Sequence, residues 1–498
     1  MVATPTITGF RHTLIPDENR YTSMDLSARY EGPPDMPAGY SQALEYIHSF
    51  DDPYLAAIRD HGKQTWGLAK IEALLAALGQ PQLAYPVIHV AGTKGKGSTS
   101  ALIARALAES GLKVGLYTSP HLEDWRERIQ VNGRLIEKSA VAALADDLRP
   151  FAENVPGLSA FEVTTALAFW HFARVHVDAA VIEVGLGGRL DATNVVDPLV
   201  SVLTSISLDH TQLLGNTLAE IAGEKAAIIK PGKPAVSAPQ PPDAAEVFER
   251  RAAETGSRLV VVGRDWQFET LDASLDGSLV RITGPDTSGD YRLGLPGLFQ
   301  AENAAVAVAA LDEARRAGLP VTADGIRAGL AKAKWPGRLE VVGREPLIIL
   351  DGAHNPYSIG RLADSLAALT PDRPIVYVFG SMADKDVEGM LRHLILTGRR
   401  IILTRAMNGR AAAVDELVET ARRVIDELTA NGWLSDPPSL DQEASVRQAV
   451  EAGLASLGGP DDPTLLCITG SLSIVGEARA ELAAKRRAHG PPKAIEAS

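Results

Sequence analysis

The chain has one cysteine in 498 residues, so no disulfide can form within it. That thiol, Cys467, lies in the apolar string TLLCITG. A cysteine in such a string is more often a small buried residue of a strand than a nucleophile. A single free cysteine is typical of a reducing compartment, and we expect a cytoplasmic protein.

Long apolar runs and excess positive charge are also missing. No stretch reaches the ~18 apolar residues of a membrane span, and residues 1–36 lack the basic and then apolar layout of a secretion signal. The net charge of −13 disfavours nucleic acid and anionic membranes as partners. An anionic ligand therefore requires a local basic pocket.

Residues 86–108, PVIHVAGTKGKGSTSALIARALA, hold the most informative pattern. An apolar run, a glycine-rich loop and apolar residues at helical spacing predict a strand, a loop and a helix that cradle a phosphate chain. Lys96 is placed to reach the outer phosphates, and Ser98 or Thr99 to face magnesium. The string departs from the standard P-loop, because Val90 stands where that pattern has glycine and Gly97 separates Lys96 from Ser98. The alternative is a plain glycine-rich turn with a solvated lysine.

Strand and helix patterns alternate along most of the chain, which indicates mostly parallel sheets covered on both faces. We predict a P-loop-type ATPase domain over residues 37–335, followed by a smaller Rossmann-like α/β domain over 336–498. Residues 266–296 are rich in Gly, Asp and Ser and predict a small antiparallel sheet. Residues 1–36, polar and broken by prolines, are predicted to be a flexible arm.

Polar clusters follow three of the predicted strands, where ligands bind in open α/β sheets. These strings are TSPHL at 118–122, EVGLGGRLDATN at 183–194 and SLDHT at 207–211. They bring Ser119, Glu183 and His210 beside the glycine-rich loop as candidate magnesium ligands. Each has a local alternative: Ser119 and His210 can belong to turns, and Glu183 can pair with Arg189.

Other candidates are weaker when judged from spacing alone. Lys225 lies with acidic neighbours on a predicted helix, which favours a solvated face. Glu162 begins a core helix as a first-turn carboxylate. In the second unit, DGAHNP at 351–356 follows a buried strand, and Asn303 and Arg338 lie between the units. These groups can contact a ribose, a phosphate or an amino acid, or can simply form turns.

Together these strings resemble the folylpolyglutamate synthase/dihydrofolate synthase branch of the Mur ligase superfamily. The matching strings run from about residue 40 to residue 480, and their number and order make the resemblance specific. They are HVAGTKGKGS, YTSPHL followed by ERIQVNG, FEVTTALAF, EVGLGGRLDATN, SLDHTQLLGNTLAEIAGEKAAIIK, NAAVAVAAL, WPGRLE, LDGAHNP and GSMADKD.

The resemblance implies a ligase that uses ATP to activate a pterin-bearing carboxylate as an acyl phosphate, which the amine of L-glutamate then attacks. It implies ATP contacts by Gly95, Lys96, Gly97, Ser98, Asn303, Arg338 and Asp351. One or two Mg²⁺ ions are implied at Ser119, Glu183, His210 and a carboxylated Lys225, which reverses the solvated-face interpretation of that lysine. Lys96, Lys225 and His354 are the implied catalytic groups. The pterin or folate is implied to contact Gly67, Leu68, Ala69, Phe161, Glu162 and Asp191.

Two positions depart from the family pattern: Lys94 stands where the family usually has Asn, and Phe299 where it often has His. A cell-wall amino-acid ligase of the same superfamily is the nearest alternative. A nucleotide-dependent switch or transport ATPase is a more distant one, and it leaves DGAHNP unexplained. We expect small-molecule partners only (dihydropteroate or folates, L-glutamate and ATP) and a monomer.

Overall fold

The computed structural model describes residues 38–50, 67–285, 287–458 and 462–489, and the predicted arm lies outside these ranges. The first part of the chain forms these helices: α1 Ala38–His48, α2 Ala69–Ala77, α3 Lys96–Glu109, α4 Lys138–Ala152, α5 Ala160–Arg174, α6 Thr211–Leu214, α7 Leu218–Ala226, α8 Pro242–Thr255, α9 Gln300–Arg316 and α10 Ala323–Lys332. Its strands are β1 Val87–Ala91, β2 Val114–Tyr117, β3 Ile129–Val131, β4 Arg134–Leu135, β5 Ala179–Glu183, β6 Pro198–Leu203, β7 Ala235–Ser237, β8 Leu259–Val261, β9 Gln267–Ser274, β10 Gly277–Thr283 and β11 Ser288–Leu293.

The large first sheet has the order β4-β3-β2-β5-β1-β6-β7-β8. All its neighbours pair in parallel except β3 and β4, which form an antiparallel extension. Every residue of β1 and β5 is buried, as expected for strands covered on both faces. Helices α3, α9 and α10 cover one face, and α1, α2, α4 and α5 cover the other. The loops after β1, β2, β5 and β6 therefore leave the sheet at one edge.

The small antiparallel sheet predicted within 266–296 is present, with the order β11-β10-β9. Its apolar side chains alternate along the strands, so that Val280, Ile282, Tyr291 and Leu293 point into the core. This sheet packs on α9, the long helix that also runs behind the glycine-rich loop.

The last part of the chain forms a second, smaller, mostly parallel sheet with the order β12-β13-β17-β14-β15-β16. Its strands are β12 Glu340–Arg344, β13 Leu347–Leu350, β14 Ile375–Phe379, β15 Arg400–Leu403, β16 Ser439–Gln442 and β17 Leu465–Thr469. Its helices are α11 Pro356–Leu369, α12 Val387–Thr397, α13 Val414–Ala430, α14 Val446–Ala455 and α15 Leu472–His489. Only β12 is antiparallel to its neighbour. Cys467 is buried in β17, as its apolar surroundings predicted.

The predicted α/β class is confirmed, and several short elements were not predicted, among them the four-residue helix α6. The β3–β4 hairpin, β12 and β16 are short and partly polar, and α10 begins with the capping Thr322 inside a sequence with little apolar content. These elements depend on tertiary pairing more than on local pattern. In the four described ranges, no helix is long and apolar enough to cross a membrane.

Candidate active site

A cavity lies where the loops at the carboxyl edge of the first sheet meet the loop that follows β13 in the second. It encloses about 1250 Å³ of atom-free space, including its open mouth. Its walls include these residues singled out from the sequence: Gly95, Lys96, Gly97, Ser98, Ser119, Glu183, His210, Lys225, Asn303, Arg338, Asp351 and His354. Loops far apart in sequence therefore form one site.

The phosphate loop, residues 92–98, runs from β1 into α3. Gly95 precedes the helix with φ +89°, and a Cβ at that position would collide with the side-chain oxygen of Asn303. The loop is anchored because Thr93 N–H and Lys94 N–H both donate to the carbonyl of Ser205, at 2.9 and 3.2 Å. Among the described residues, no side chain caps α3, so the N–H groups of its first turn are available to an anion in the cavity.

Two polar residues of α9 tie that helix to the start of α3. Gln300 Nε2 donates to Ser98 Oγ at 3.3 Å, and Asn303 Nδ2 donates to Gln300 Oε1 at 2.9 Å. Lys96 Nζ folds back to donate to the carbonyl of Gly92 at 3.1 Å. Lys96 therefore lies over the loop and lines the cavity.

Glu183 ends β5 and is buried against the phosphate loop. Burial raises its pKa to about 7, although Lys96 and the Ser119 N–H, which donates to Glu183 Oε2 at 3.2 Å, favour the charged form. Arg189 does not pair with Glu183, because its guanidinium binds Glu224 at 2.9 Å. The local alternative considered for Glu183 is therefore wrong.

Lys225 is buried, with 4% of its surface exposed. The solvated helix face suggested by spacing alone is therefore wrong. Burial, and then the charge of Lys96, lower the pKa of Lys225 to about 7. Within the described ranges no side chain or carbonyl hydrogen-bonds Lys225 Nζ. Its acidic neighbours are engaged elsewhere: Glu220 caps the start of α7, and Glu224 holds Arg189.

His210 begins α6 in the left-handed conformation, with φ +51°. Burial lowers its pKa to about 3, against the opposing charge of Asp209. The imidazole is therefore neutral at physiological pH, which is the form that binds a metal.

The second sheet contributes the opposite wall of the cavity. Asp351 is buried after β13 and accepts from the N–H groups of Leu339 at 2.7 Å and Ala353 at 2.8 Å. The guanidinium of Arg338 lies against Gly352, where a Cβ would come within 2.5 Å of Nη1. Burial, and then Lys94, lower the pKa of His354 to about 4, so this imidazole is also neutral.

Comparison with known proteins shows which family the chain resembles over most of its length. Residues 90–311 match the Mur ligase middle domain, and residues 337–472 match the glutamate ligase domain of Mur ligases. Folylpolyglutamate synthase of Lacticaseibacillus casei is 39% identical, over 89% of this chain and 98% of its own. Dihydrofolate synthase/folylpolyglutamate synthase of Mycobacterium tuberculosis is 34% identical, over 91% and 98%. The structure of E. coli FolC in complex with DHPP and ADP superposes with a TM-score of 0.77 at 31% identity, over 91% of this chain and all of that one.

The chain belongs to the folylpolyglutamate synthase/dihydrofolate synthase family. The predicted family and the predicted enzyme class, an ATP-dependent ligase, are thereby confirmed. The two curated relatives named above match this chain over 98% of their own length and are named as folate enzymes, and a solved relative holds DHPP with ADP. These findings support the folate-ligase interpretation over the cell-wall amino-acid ligase.

The residues predicted to contact the pterin lie outside the walls of the cavity. Asp191 is buried and accepts from Leu186 N–H at 2.9 Å and Thr193 N–H at 3.0 Å. Glu162 forms a capping box with Ser159 at the start of α5. Phe161 packs on Gly185, which does line the cavity. Gly67, Leu68 and Ala69 lead into α2, whose apolar residues pack in the core beside α5.

The predicted magnesium ligands fit a divalent ion by their chemistry. Ser119 offers a hydroxyl, Glu183 a buried carboxylate whose ionised form a cation would favour, and His210 a neutral imidazole, and all three line the cavity. In the part of the chain that the structure describes, no three or more His, Cys, Asp and Glu side chains are grouped to hold a metal. The candidate ligand set contains only two side chains of these types, Glu183 and His210, so it does not form such a group.

The cavity also contains a buried carboxylate, Asp209, whose contacts the sequence did not suggest. Asp209 accepts a hydrogen bond from Lys94 at 2.9 Å and another from Lys385 at 2.8 Å. Burial opposes the charge of Asp209, but the ammonium groups of Lys94 and Lys385 outweigh it and hold its pKa far below the ordinary value. The sequence gives no signal for these contacts, because Lys94 and Lys385 lie more than a hundred residues from Asp209 along the chain.

Proposed function

We propose that the enzyme couples L-glutamate, through its amine, to the carboxylate of dihydropteroate or of folates that already carry glutamate, with ATP converted to ADP and phosphate. One observation carries the proposal: a protein with a net charge of −13 directs Lys96, Arg338 and an uncapped helix N-terminus into one cavity. Such a cavity suits a polyanionic nucleotide that must approach anionic substrates. The relatives' names and the DHPP and ADP of the E. coli structure supply the substrate class.

In the first step we assign the nucleotide phosphates to the phosphate loop and the nucleoside to Asn303, Arg338 and Asp351. An oxygen of the acceptor carboxylate attacks the γ-phosphorus, the bond to the β–γ bridging oxygen breaks, and an acyl phosphate and ADP form. Lys96 offsets charge on the transferring phosphoryl group while the loop holds it in line. Positioning by the two facing walls supplies the remaining rate enhancement.

In the second step the uncharged amine of glutamate attacks the acyl carbon, after its proton has been lost to solvent. The C–O bond to phosphate breaks, the phosphate leaves with one oxygen of the original carboxylate, and it takes up the proton that the nitrogen loses as the amide forms. We place His354 next to the amino acid or the γ-phosphate, because it lines the cavity from the second sheet. Closure of the cavity protects the acyl phosphate from water.

We assign Ser119, Glu183 and His210 to a Mg²⁺ ion that accompanies ATP. When bound, such an ion neutralises phosphate charge and favours attack at phosphorus. The neutral imidazole of His210 and the buried carboxylate of Glu183 support this assignment.

We further propose that Lys225 carries a carbamate. The nitrogen of an uncharged lysine amine adds to the carbon of CO₂, and loss of one proton from that nitrogen leaves a carbamate whose negative charge is shared by its two oxygens. Burial already lowers the pKa of Lys225 to about 7, so much of the amine is uncharged at neutral pH. Its Nζ has no hydrogen-bond partner among the described residues and lies at the cavity. A carbamate there provides oxygen ligands for a second cation.

The other expectations complete the proposal. We place the enzyme in the cytoplasm, supported by its single buried cysteine. We propose that it acts as a monomer, because one chain supplies both walls of the cavity. The division of the chain after residue 335 is also a proposal, and it separates the walls at the boundary between α10 and β12.

Substrate-dependent phosphate release tests this function. The purified protein should release phosphate from ATP only when an acceptor acid and L-glutamate are both present, one phosphate for each amide formed. Dihydropteroate and a reduced folate monoglutamate, assayed separately, identify the preferred acceptor. Equal hydrolysis of ATP with neither substrate would instead indicate a switch or transport ATPase.

A further inference from the structure

One buried carboxylate joins the two sheets across the cavity. Asp209, whose side chain is 7% exposed, accepts from Lys94 of the phosphate loop and from Lys385, which follows β14 in the second sheet. Asn355 Nδ2 adds a longer contact of 3.4 Å. The Asp209 cluster comprises these residues: Lys94, Asp209, His354, Asn355 and Lys385.

His354 is held at both ring nitrogens. Its Nδ1 lies 2.8 Å from the carbonyl of Gly352, and its Nε2 lies 2.8 Å from Lys94 Nζ. A carbonyl only accepts and an ammonium only donates, so Nδ1 carries the proton and Nε2 offers its lone pair. The Gly352 carbonyl and Lys94 of the phosphate loop therefore both favour the Nδ1–H tautomer of His354 and together hold the orientation of its ring.

The two lysines of the cluster are not equivalent. Each pairs with one oxygen of Asp209, at 2.9 Å for Lys94 and 2.8 Å for Lys385. Only Lys94 also contacts His354. Lys94 is therefore the direct link between the loop that holds the phosphates and the imidazole on the facing wall.

We infer that Lys94 is a positioning residue of the ligase reaction, which fixes His354 as the Nδ1–H tautomer and ties it to the phosphate loop. The inference rests on the proposed function and deepens it. A lysine ammonium has three N–H groups, of which two are used here. Lys94 also lines the cavity, so the third group is available to an oxygen of a bound substrate. Lys94 thus aligns His354 with whatever the loop holds.

The tautomer can be observed directly by long-range ¹H–¹⁵N correlation spectroscopy on the full chain labelled with ¹⁵N-histidine. The protein has 11 histidines, and loss of one set of signals in His354→Gln assigns His354. In the wild type we expect a protonated Nδ1 and an unprotonated Nε2. A wild-type spectrum with the proton on Nε2 overturns the inference without any Lys94 variant.

Two matched substitutions then separate the lysines, since each removes one cation from Asp209. Lys94→Met should move the His354 signals, whereas Lys385→Met should leave its Nδ1–H tautomer in place. In turnover, Lys94→Met should lower kcat by roughly 10- to 100-fold, as expected when a reacting group is misplaced, with a smaller change in the KM for ATP.

Unchanged His354 signals in Lys94→Met, or equal shifts in both variants, overturn the inference. Failure of the wild type to form amide product contradicts the proposed function instead, and the spectra still decide whether Lys94 sets the tautomer.

Discussion

Charged residues that line the cavity from the first sheet differ from the residues predicted to contact the pterin in how their polar groups are hydrogen-bonded. Lys225 and Glu183 are buried, make few or no side-chain hydrogen bonds within the protein, and have pKa values moved to about 7. Asp191 and Glu162 are instead saturated by neighbours within five residues of the chain. Buried charges that lack local partners indicate binding or catalysis, whereas capped carboxylates have a structural role whether or not they also bind a ligand.

The largest effect on turnover is expected at Lys96, which lines the cavity. Lys96→Met should reduce turnover by about 1,000-fold or more, because it removes a cation from the transferring phosphoryl group. Lys332→Met is the control, since that lysine only forms a surface pair with Glu109. Steady-state rates and thermal unfolding of both variants check the prediction. An active and normally stable Lys96→Met enzyme would contradict the proposed phosphate contact.

The next effect concerns Lys225. Lys225→Ala should lower kcat by roughly 100-fold, while ¹³C NMR of the wild type equilibrated with ¹³CO₂ should show a carbamate signal that the variant lacks. Lys230→Ala is a close control, because Lys230 bonds to the carbonyl of Asn194 and lies outside the walls of the cavity. Full activity of Lys225→Ala, or the same signal in that variant, would exclude the carbamate.

Among the residues predicted to contact the pterin, we expect substitution of Asp191 to affect the stability of the fold. Asp191→Ala removes the acceptor of the Leu186 and Thr193 bonds, and should lower the free energy of unfolding by about 2 kcal/mol. Denaturant titration measures this loss, with Lys96→Met as the variant that leaves stability nearly unchanged. A stable Asp191→Ala protein with a raised KM for the acceptor would assign Asp191 to binding alone.

The smallest expected effect is a pH dependence of the folding stability that arises from His89, which contacts Thr193. His89 is buried against Thr193, and burial lowers its pKa to about 3. Below about pH 6.5 the unfolded chain binds a proton at this residue that the folded chain does not, so stability falls as the pH falls. From pH 7.5 to 5.5, His89→Gln should lose about 1 kcal/mol less stability than the wild type. Equal losses would show that His89 does not titrate on unfolding.

Much of the fold could be predicted from the sequence because its main strands are short runs of mostly apolar residues, such as β5 and β14, in which every residue is buried. The strand, loop and helix predicted within residues 86–108 are present as β1, the phosphate loop and α3. Short partners such as β12 and β16 were missed, since half-exposed strands of four or five residues leave little pattern and form only against a neighbour.

The candidate site likewise has one part that local sequence motifs predicted and another that only the three-dimensional structure reveals. Glycines, Lys96 and the strand-end motifs are local features, and the fold brings them together at one sheet edge. The Asp209 cluster joins residues 94, 209 and 385, which no spacing rule connects. The burial of Lys225 was likewise hidden, because its acidic neighbours suggested a solvated surface and only the packing of residues 183–194 over α7 encloses it.

Transfer of oxygen between the substrates tests most directly the claim that the cavity activates a carboxylate with ATP. Dihydropteroate labelled with ¹⁸O in its carboxylate should be turned over with ATP and L-glutamate, and the released phosphate analysed by ³¹P NMR or mass spectrometry. We predict one ¹⁸O atom in each phosphate formed from fully labelled acid. Unlabelled phosphate, with amide product formed, would contradict the acyl-phosphate route.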